Sequence, residues 1–375
     1  MSPVRVGDIE RAIAKRFPLE RAEEWDRCGL LAGDPDALVT GVSLALDPTT
    51  SAIAATVGAG ANVLVTHHPA FLTVPQWLTP GRGAAGVVFS ALSQGVALIN
   101  AHTNLDRDEM AQRLIPEKRG FGPLKPLERS LQPMSLVTVF VPRSDAERVV
   151  EAMTGAGAGR VGDYERCSFS VEGTGAFTSP LSGSPAVGTP GSRTIAEETR
   201  VEMVCPSSRV RGVVSAAAAA HPYEEPLVVA QEARTARNSA RLGMVSSAAD
   251  DLSLAQLAAR CSRAFGVTPR VWGSPDTLIT KVATATGSAG SLVGAALASG
   301  SQALVAGEVR YHDALDAVES GLAVVELGHD VTEWPLVALL EDVVRGVAGL
   351  DPGAVRLLPA TPGWWTPSNS EDRRD

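Results

Sequence analysis

Residues Gly41–Pro69 read GVSLALDPTTSAIAATVGAGANVLVTHHP. Val42, Leu44 and Leu46 alternate with smaller residues, which predicts a strand ending at Asp47-Pro48. The following TSAIAATVGAGA predicts a helix stopped by glycine. NVLVTHHP then predicts a second strand, and it ends in two adjacent histidines and a proline. On the N-terminal side, Ile9, Ile13 and Phe17 recur every four residues and predict a helix. On the C-terminal side, GVVFSALSQG predicts a helix and VALINAHTNLD a third strand. This β-α-β-α-β alternation places the chain in the α/β class with an at least partly parallel sheet.

The same theme returns after residue 278. ITKVATATGSAG reads as a strand and glycine-rich turn, SLVGAALASG as a helix, SQALVAGEV as a strand and YHDALDAVESG as a helix. LAVVELGHD is the next strand and EWPLVALLEDVVRGV the last helix. The middle differs. SLVTVFVP and TRVEMVCP read as strands, SDAERVVEAMTGAG and SSRVRGVVSAAAAA as helices, and HPYEEPLVVAQEA closes the segment. Tyr164, Phe169 and Phe177 punctuate its glycine-, serine- and proline-rich stretch, which favours a loop-rich ordered sheet over a flexible linker. The expected organisation is a first half of an α/β core at residues 1–132, an inserted α+β domain at 133–238, the second core half at 239–365, and a polar, disordered tail at 366–375.

Composition narrows the function classes. The 375 residues are 45% apolar and carry a net charge of -9, so the basic footprint of a nucleic-acid binder is missing. Cys28, Cys167, Cys205 and Cys261 form no C-x-x-C pair, which argues against a thiolate zinc site and a disulfide scaffold. The N-terminus lacks a signal peptide's apolar run, and Val213–Ala220 is too short to span a bilayer. The expectation is a cytoplasmic protein without a membrane partner.

Ligands in open α/β sheets bind beyond the carboxyl ends of the strands. Asp47 follows the first strand, His67 and His68 the second, and His102, Asn104 and Asp106 the third. In the second half, Glu308 and His312 follow one strand, and Glu326, His329 and Glu333 the last. Five of the six histidines therefore sort to strand ends. Each alone admits a plain role: Asp106 a helix cap, His329 and Glu333 a solvated pair, His312 a packing residue. Together, imidazole and carboxylate without thiolate suit zinc, manganese or iron. Successive side chains on an extended backbone diverge, so His67 and His68 serve two ions better than one. A carboxylate such as Glu333 can bridge two cations, and paired metals roughly 3.5–4 Å apart generate a hydroxide and clamp an oxyanion.

EEWDRCGLLAGDP, LVTHHPAFL, AHTNLD, HPYEEP, RLGMV and GEVRYHDALDAVESGLAVVELGHDVTE together resemble the Nif-three-like dinuclear metal-centre family, the GTP cyclohydrolase type 2 homologues. The resemblance runs from about residue 5 to 345. It implies two divalent metal ions per chain, held by His67, His68, Asp106, His329 and Glu333. By likeness, His68 and Asp106 serve one ion, His67 and His329 the other, and Glu333 both. His102 and His312 match positions lining the same cavity, for proton transfer or substrate contact. The resemblance further implies two similar α/β halves, a homohexameric toroid, and a PII- or CutA-like insert in which His221, Tyr223 and Glu224 form a structural or interface motif. This chain departs from the family pattern at Ala306-Gly307-Glu308, at Glu326 and at Asp330, where Thr-Gly-Asp, aspartate and an aromatic are usual.

The function expected is metal-dependent hydrolysis of a small nucleotide-like substrate, GTP ring opening or a related phosphoester reaction. The alternative is a non-enzymatic metal-binding regulatory or scaffold protein. The glycine-rich ATGSAGSLVG turn could receive an anion but reads more readily as a plain tight turn.

Overall fold

The structure is a computed structural model. It describes residues 3–364 except 24, 82, 119–121, 123, 129–130, 162–163, 237–240 and 361–362. The tail expected from residue 366 to be disordered lies outside the described residues. The chain divides into two compact units: Met1–Arg129 with Ser239–Asp375, and Ser130–Asn238.

The first unit is an α/β structure built on two sheets that share a four-strand pattern, one antiparallel edge beside three parallel strands. One runs in the order Gly29–Ala32, Ala97–Asn100, Val63–Thr66, Val42–Ala45, Val355–Leu357. Its last four strands are parallel and the glycine-led edge strand is antiparallel. The other runs Arg270–Trp272, Ala323–Glu326, Ala303–Ala306, Leu278–Thr284, Met244–Ser253, Leu124–Pro126. It repeats the pattern of an antiparallel edge beside three parallel strands. The sequence patterns anticipate the parallel strands except Val355–Leu357, which falls after the last helix read from the sequence. The short antiparallel edges carry too few alternating residues to announce themselves.

The parallel strands are apolar on both faces because both faces are covered. Val63 and Val65 point into one core with Val42, Leu44 and Ile99, while Leu64 points into another with Ile53 and Leu98. Period two thus feeds two cores from one strand. Burying a side chain such as Leu64 contributes about 1.5–3 kcal/mol.

Helices exchanged between the halves close the unit. Helix His329–Arg345 follows the last strand of the second sheet, yet its Leu336, Val337, Leu340 and Val344 join the core of the first sheet. Helix Glu109–Lys118 follows the first sheet, and its Ile115 packs with Leu252, Val282 and Val305 of the second. This exchange brings residues more than 200 positions apart to one place. The last helix also starts earlier than its sequence pattern suggests, at His329 after Gly328. Gly328 has φ +105°, a turn glycine adopts freely, and the early start puts His329 and Glu333 one turn apart on one face.

The second unit has a four-stranded antiparallel sheet in the order Phe169–Thr178, Arg193–Pro206, Leu131–Pro142, Val228–Ala236. Helices Ala146–Gly155 and Val210–Ala220 complete a β-α-β-β-α-β order. Val137, Val139, Val149, Met153, Met203, Val213 and Ala217 make its core. His221 donates from Nε2 to the Phe140 carbonyl at 2.8 Å, and its Nδ1 accepts from the Tyr223 amide at 3.1 Å. The Tyr223 hydroxyl donates to Glu198 at 2.8 Å. The histidine and tyrosine of HPYEEP therefore latch this unit internally. Among the described residues, no helix of the chain is long and apolar enough to cross a membrane.

Candidate metal centre

The parallel ladder carries the site. His67 and His68 continue the strand Val63–Thr66, their amides bonded to the carbonyls of Ala45 and Leu46 at 3.4 and 3.0 Å. The Thr66 hydroxyl donates to the His68 carbonyl at 2.7 Å and pins the exit before Pro69. The neighbouring strand Ala97–Asn100 leads into helix Thr103–Asp106, which buries Asp106 beside His67. Helix His329–Arg345 supplies the other wall.

Four imidazoles converge there, each held by Nδ1. His67 donates from Nδ1 to the Ala101 carbonyl at 2.9 Å, His68 to Asp47 at 2.7 Å, His102 to Asp26 at 2.9 Å, and His329 to Glu308 at 3.1 Å. A carbonyl or carboxylate only accepts, so each Nδ1 carries its proton and Nε2 is the free position. Support of this kind orients metal-ligating histidines and fixes their tautomer. Two Nε2 atoms then approach one carboxylate oxygen: Glu333 Oε2 lies 2.8 Å from His68 and 2.9 Å from His329. Neutral imidazoles of that tautomer would set lone pair against lone pair. Positive charge is required there, from added protons or from a cation.

Deeper in, His67 Nε2 lies 3.6 Å from Asp106 Oδ1 and 3.8 Å from Glu333 Oε2. Both His67 Nε2 and Asp106 Oδ1 are buried without a hydrogen-bond partner. Leaving such groups unmatched costs about 1–3 kcal/mol each, and a cation between them would satisfy both. Among the described residues, three groups of side chains offer ligand atoms within 4.8 Å of one another and could hold a metal ion: His67, Asp106 and Glu333; His68, His329 and Glu333; and His67, His68 and His102. All five residues singled out as ligands are thus brought together, and Glu333 belongs to two groups. The grouping differs from the resemblance in one respect: His67 sits with Asp106, and His68 with His329. The extended backbone explains it, since His67 turns inward to the buried short helix and His68 toward the last helix.

The electrostatics follow. Burial opposes charge on His68, but Asp47 and Glu333 outweigh it and push its pKa up to about 10. Burial likewise opposes charge on His329, and Glu333 and Glu308 push it up to about 9. Burial disfavours the Glu333 anion, yet His329, His67 and His68 hold its carboxyl well below the usual range. Burial raises Asp106, and Asp106 with Glu333 raises the buried His67 against its own desolvation. A field that holds protons this firmly would hold a divalent cation in their place. Burial and Asp26 also raise the Cys28 thiol, so it is no thiolate nucleophile.

Two glycines make room. Gly287 has φ +57°, its amide donates to the Thr332 hydroxyl at 3.0 Å, and a Cβ there would stand 1.9 Å from Glu333 Oε1. A Cβ on Gly307 would meet the Gly287 carbonyl at 2.6 Å.

His102 joins the cluster, with ring centroids 5.3 Å from His67 and 5.5 Å from His68. His312 is in none of the candidate groups. It is exposed at the start of helix Tyr311–Glu319 with its ring 5.3 Å from Tyr311, and its described contacts do not include the cluster. Asp26 is the supporting residue that sequence reading missed. It lies 76 positions from His102 and follows no recognised parallel strand. Its position in EEWDRCGLLAGDP was the available signal. The departures Glu308 and Glu326 keep their carboxylates in use: Glu308 holds His329, and Glu326 accepts from Trp272 Nε1 at 2.7 Å and the Val309 amide at 3.0 Å.

Fold and cluster together define an α/β protein of two matching halves with a carboxylate–imidazole centre that could hold metal. The chain belongs to the Duf34/NIF3 (NGG1p interacting factor 3) family, whose profile matches residues 4–351. The "GTP cyclohydrolase 1 type 2 homolog" of Mycobacterium tuberculosis is 31% identical over 356 residues, spanning 92% of this chain and 93% of that protein. The protein of the same description from Halalkalibacterium halodurans is 31% identical over 317 residues, 84% of this chain and 85% of its own. The crystal structure of a Bacillus cereus protein related to NIF3 matches with a TM-score of 0.63 at 28% identity, over 98% of this chain and 100% of that one.

Proposed function

We propose that the centre holds two divalent cations, one by His67, Asp106 and Glu333, the other by His68, His329 and Glu333, and that the protein is a metal-dependent hydrolase of a nucleotide-like substrate. The observation that carries the reading is the set of four imidazoles with Nδ1 bound outward, so that Nε2 and two buried carboxylates face a common space. Nitrogen and oxygen donors without thiolate suit zinc, manganese or iron. Such a pair supplies water activation near neutral pH and neutralisation of an oxyanion.

The chain's own residues do the rest. Glu333 links the two groups, and Asp47, Glu308 and the Ala101 carbonyl hold three ligating rings in register. His102, oriented by Asp26 and facing the pair, is placed to move a proton to or from a leaving group. The names of the relatives suggest GTP as the first substrate to test, with ring opening or phosphoester cleavage as the reaction. His312, one step along the chain from Tyr311, is proposed only as an outer substrate contact. Assembly into a homohexameric toroid, with the Ser130–Asn238 unit as an inserted domain, belongs to the same proposal.

The test is elemental analysis of gently purified protein joined to a turnover screen of nucleotides and phosphoesters with manganese, zinc and iron. About two equivalents of metal and metal-dependent turnover support the reading. Metal without turnover of any substrate supports the scaffold alternative, and protein that takes up no metal refutes the centre. Mass measurement in solution tests the hexamer.

A further inference from the structure

Trp25 is left out of the arrangement above, yet it stands at its rim. Its indole ring lies 6.0 Å from the His102 ring at an interplanar angle of 75°, and the residue is 54% exposed. One imidazole separates it from His67 and His68. An exposed tryptophan on a loose loop would mean little. Here Glu23, Asp26 and Arg27 near it in the chain are clamped. The Glu23 amide donates to the Thr103 hydroxyl at 2.9 Å, and the Asp26 amide to the Glu23 carbonyl at 3.0 Å. The buried Asp26 carboxylate accepts from His102 Nδ1 at 2.9 Å, the Thr103 amide at 3.0 Å and hydroxyl at 2.5 Å, and the Arg27 amide at 2.7 Å. Arg107 Nε donates to Glu23 at 3.1 Å, and Asn100 Nδ2 to the Arg27 carbonyl at 2.9 Å. Glu23, Asp26 and Arg27 are therefore tied to the helix and strand that carry His102 and Asp106.

We infer that Trp25 is a binding residue whose open face stacks on a planar nitrogen heterocycle of the substrate, holding the ring beside the cluster. The inference rests on the proposed function for the site and specifies its substrate class. The two rings meet edge to face, and with more than half of Trp25 exposed its indole leaves π-surface open beside the imidazoles; offset stacking on such a surface suits any heterocyclic base. The indole has no charge and contributes no ligand atom, so its contribution is separable from metal binding.

The experiment measures binding of guanosine 5′-monophosphate, with ribose 5-phosphate as the base-free control, by calorimetry on the full chain. Wild type, Trp25→Ala and Trp25→Phe are compared, with metal content and solution mass recorded for each. The expected result is that Trp25→Ala weakens the nucleotide by about 5- to 150-fold. Ribose 5-phosphate and metal content stay unchanged, and Trp25→Phe recovers most of the affinity. The inference is overturned if wild type binds the nucleotide no more tightly than the sugar phosphate, or if Trp25→Ala binds it as wild type does. It is equally overturned if Trp25→Ala changes the solution mass while nucleotide affinity holds, which would mean that a second copy covers the indole. Absence of metal from wild type would refute the metal reading, while the comparison of base with sugar would still decide the role of Trp25.

Discussion

Replacing Gly287 by alanine should empty the centre while leaving the fold intact. A Cβ at this position would sit 1.9 Å from Glu333 Oε1 and 2.9 Å from its Cδ, whereas ordinary contact begins near 3.4 Å. The carboxylate must retreat by roughly 1.5 Å to reach van der Waals distance. As the end of a side chain it can move, but it then abandons His68 Nε2 at 2.8 Å and His329 Nε2 at 2.9 Å. Glu333 belongs to two of the candidate groups, so both lose a donor at once. Metal affinity should fall by about 100-fold, the upper end of what disturbing a ligand's support costs. Backbone strain adds about 1–2 kcal/mol of destabilisation, because alanine resists the left-handed region. Gly95→Ala is the matched control, with φ +68° and nothing within 4 Å of the added carbon. Calorimetric titration of chelator-treated protein with manganese, alongside thermal denaturation, separates the effects. Gly95→Ala should show the backbone strain alone, Gly287→Ala that strain plus the lost Glu333 contacts, and only Gly287→Ala should lose the metal. If Gly287→Ala binds manganese like wild type, Glu333 does not hold the ion and the proposed centre is wrong.

Other expectations concern charge and support. His68 and His329 have folded pKa values raised to about 10 and about 9, above the ordinary 6.5. Their stabilisation of metal-free protein is full below about pH 6.5 and is lost as pH rises through about 9 to 10; denaturation of chelated protein across that window should show falling stability, and a flat profile would contradict the charge arrangement. Metal-loaded protein should show the opposite trend relative to chelated protein, since cations displace those protons more easily as pH rises. His67→Ala should reduce bound metal from two equivalents to one or fewer by elemental analysis, and undiminished content would remove His67 from the ligand set. Asp26→Asn should cost about 1–3 kcal/mol through its weakened bonds to His102 and Thr103. It should also speed hydrogen exchange at the amides of Glu23 and Asp26, and unchanged exchange there would mean that these residues are held by other contacts.

Much of the first unit is legible in the sequence alone. The strands Val42–Ala45, Val63–Thr66, Ala97–Asn100, Ala303–Ala306 and Ala323–Glu326 announce themselves because sheets covered on both faces require near-continuous apolar runs. Parallel strands present all their carboxyl ends along one edge, so a linear sequence can name the residues that will gather there without revealing how they pair. His67, His68, His102, His329 and Glu333 were found that way, and the same rule picked out His312, which lies exposed against Tyr311 instead. Local patterns carry no information about exchanged helices. Only packing shows that the last helix crosses to the first sheet and lays Glu333 against His67 and His68, more than 260 positions away. The division of partners, His67 with Asp106 and His68 with His329, is likewise set by the direction in which each side chain leaves the strand. Asp26 and Gly287 complete the lesson: one steadies His102 and the other gives Glu333 its space, and neither effect exists until distant segments touch.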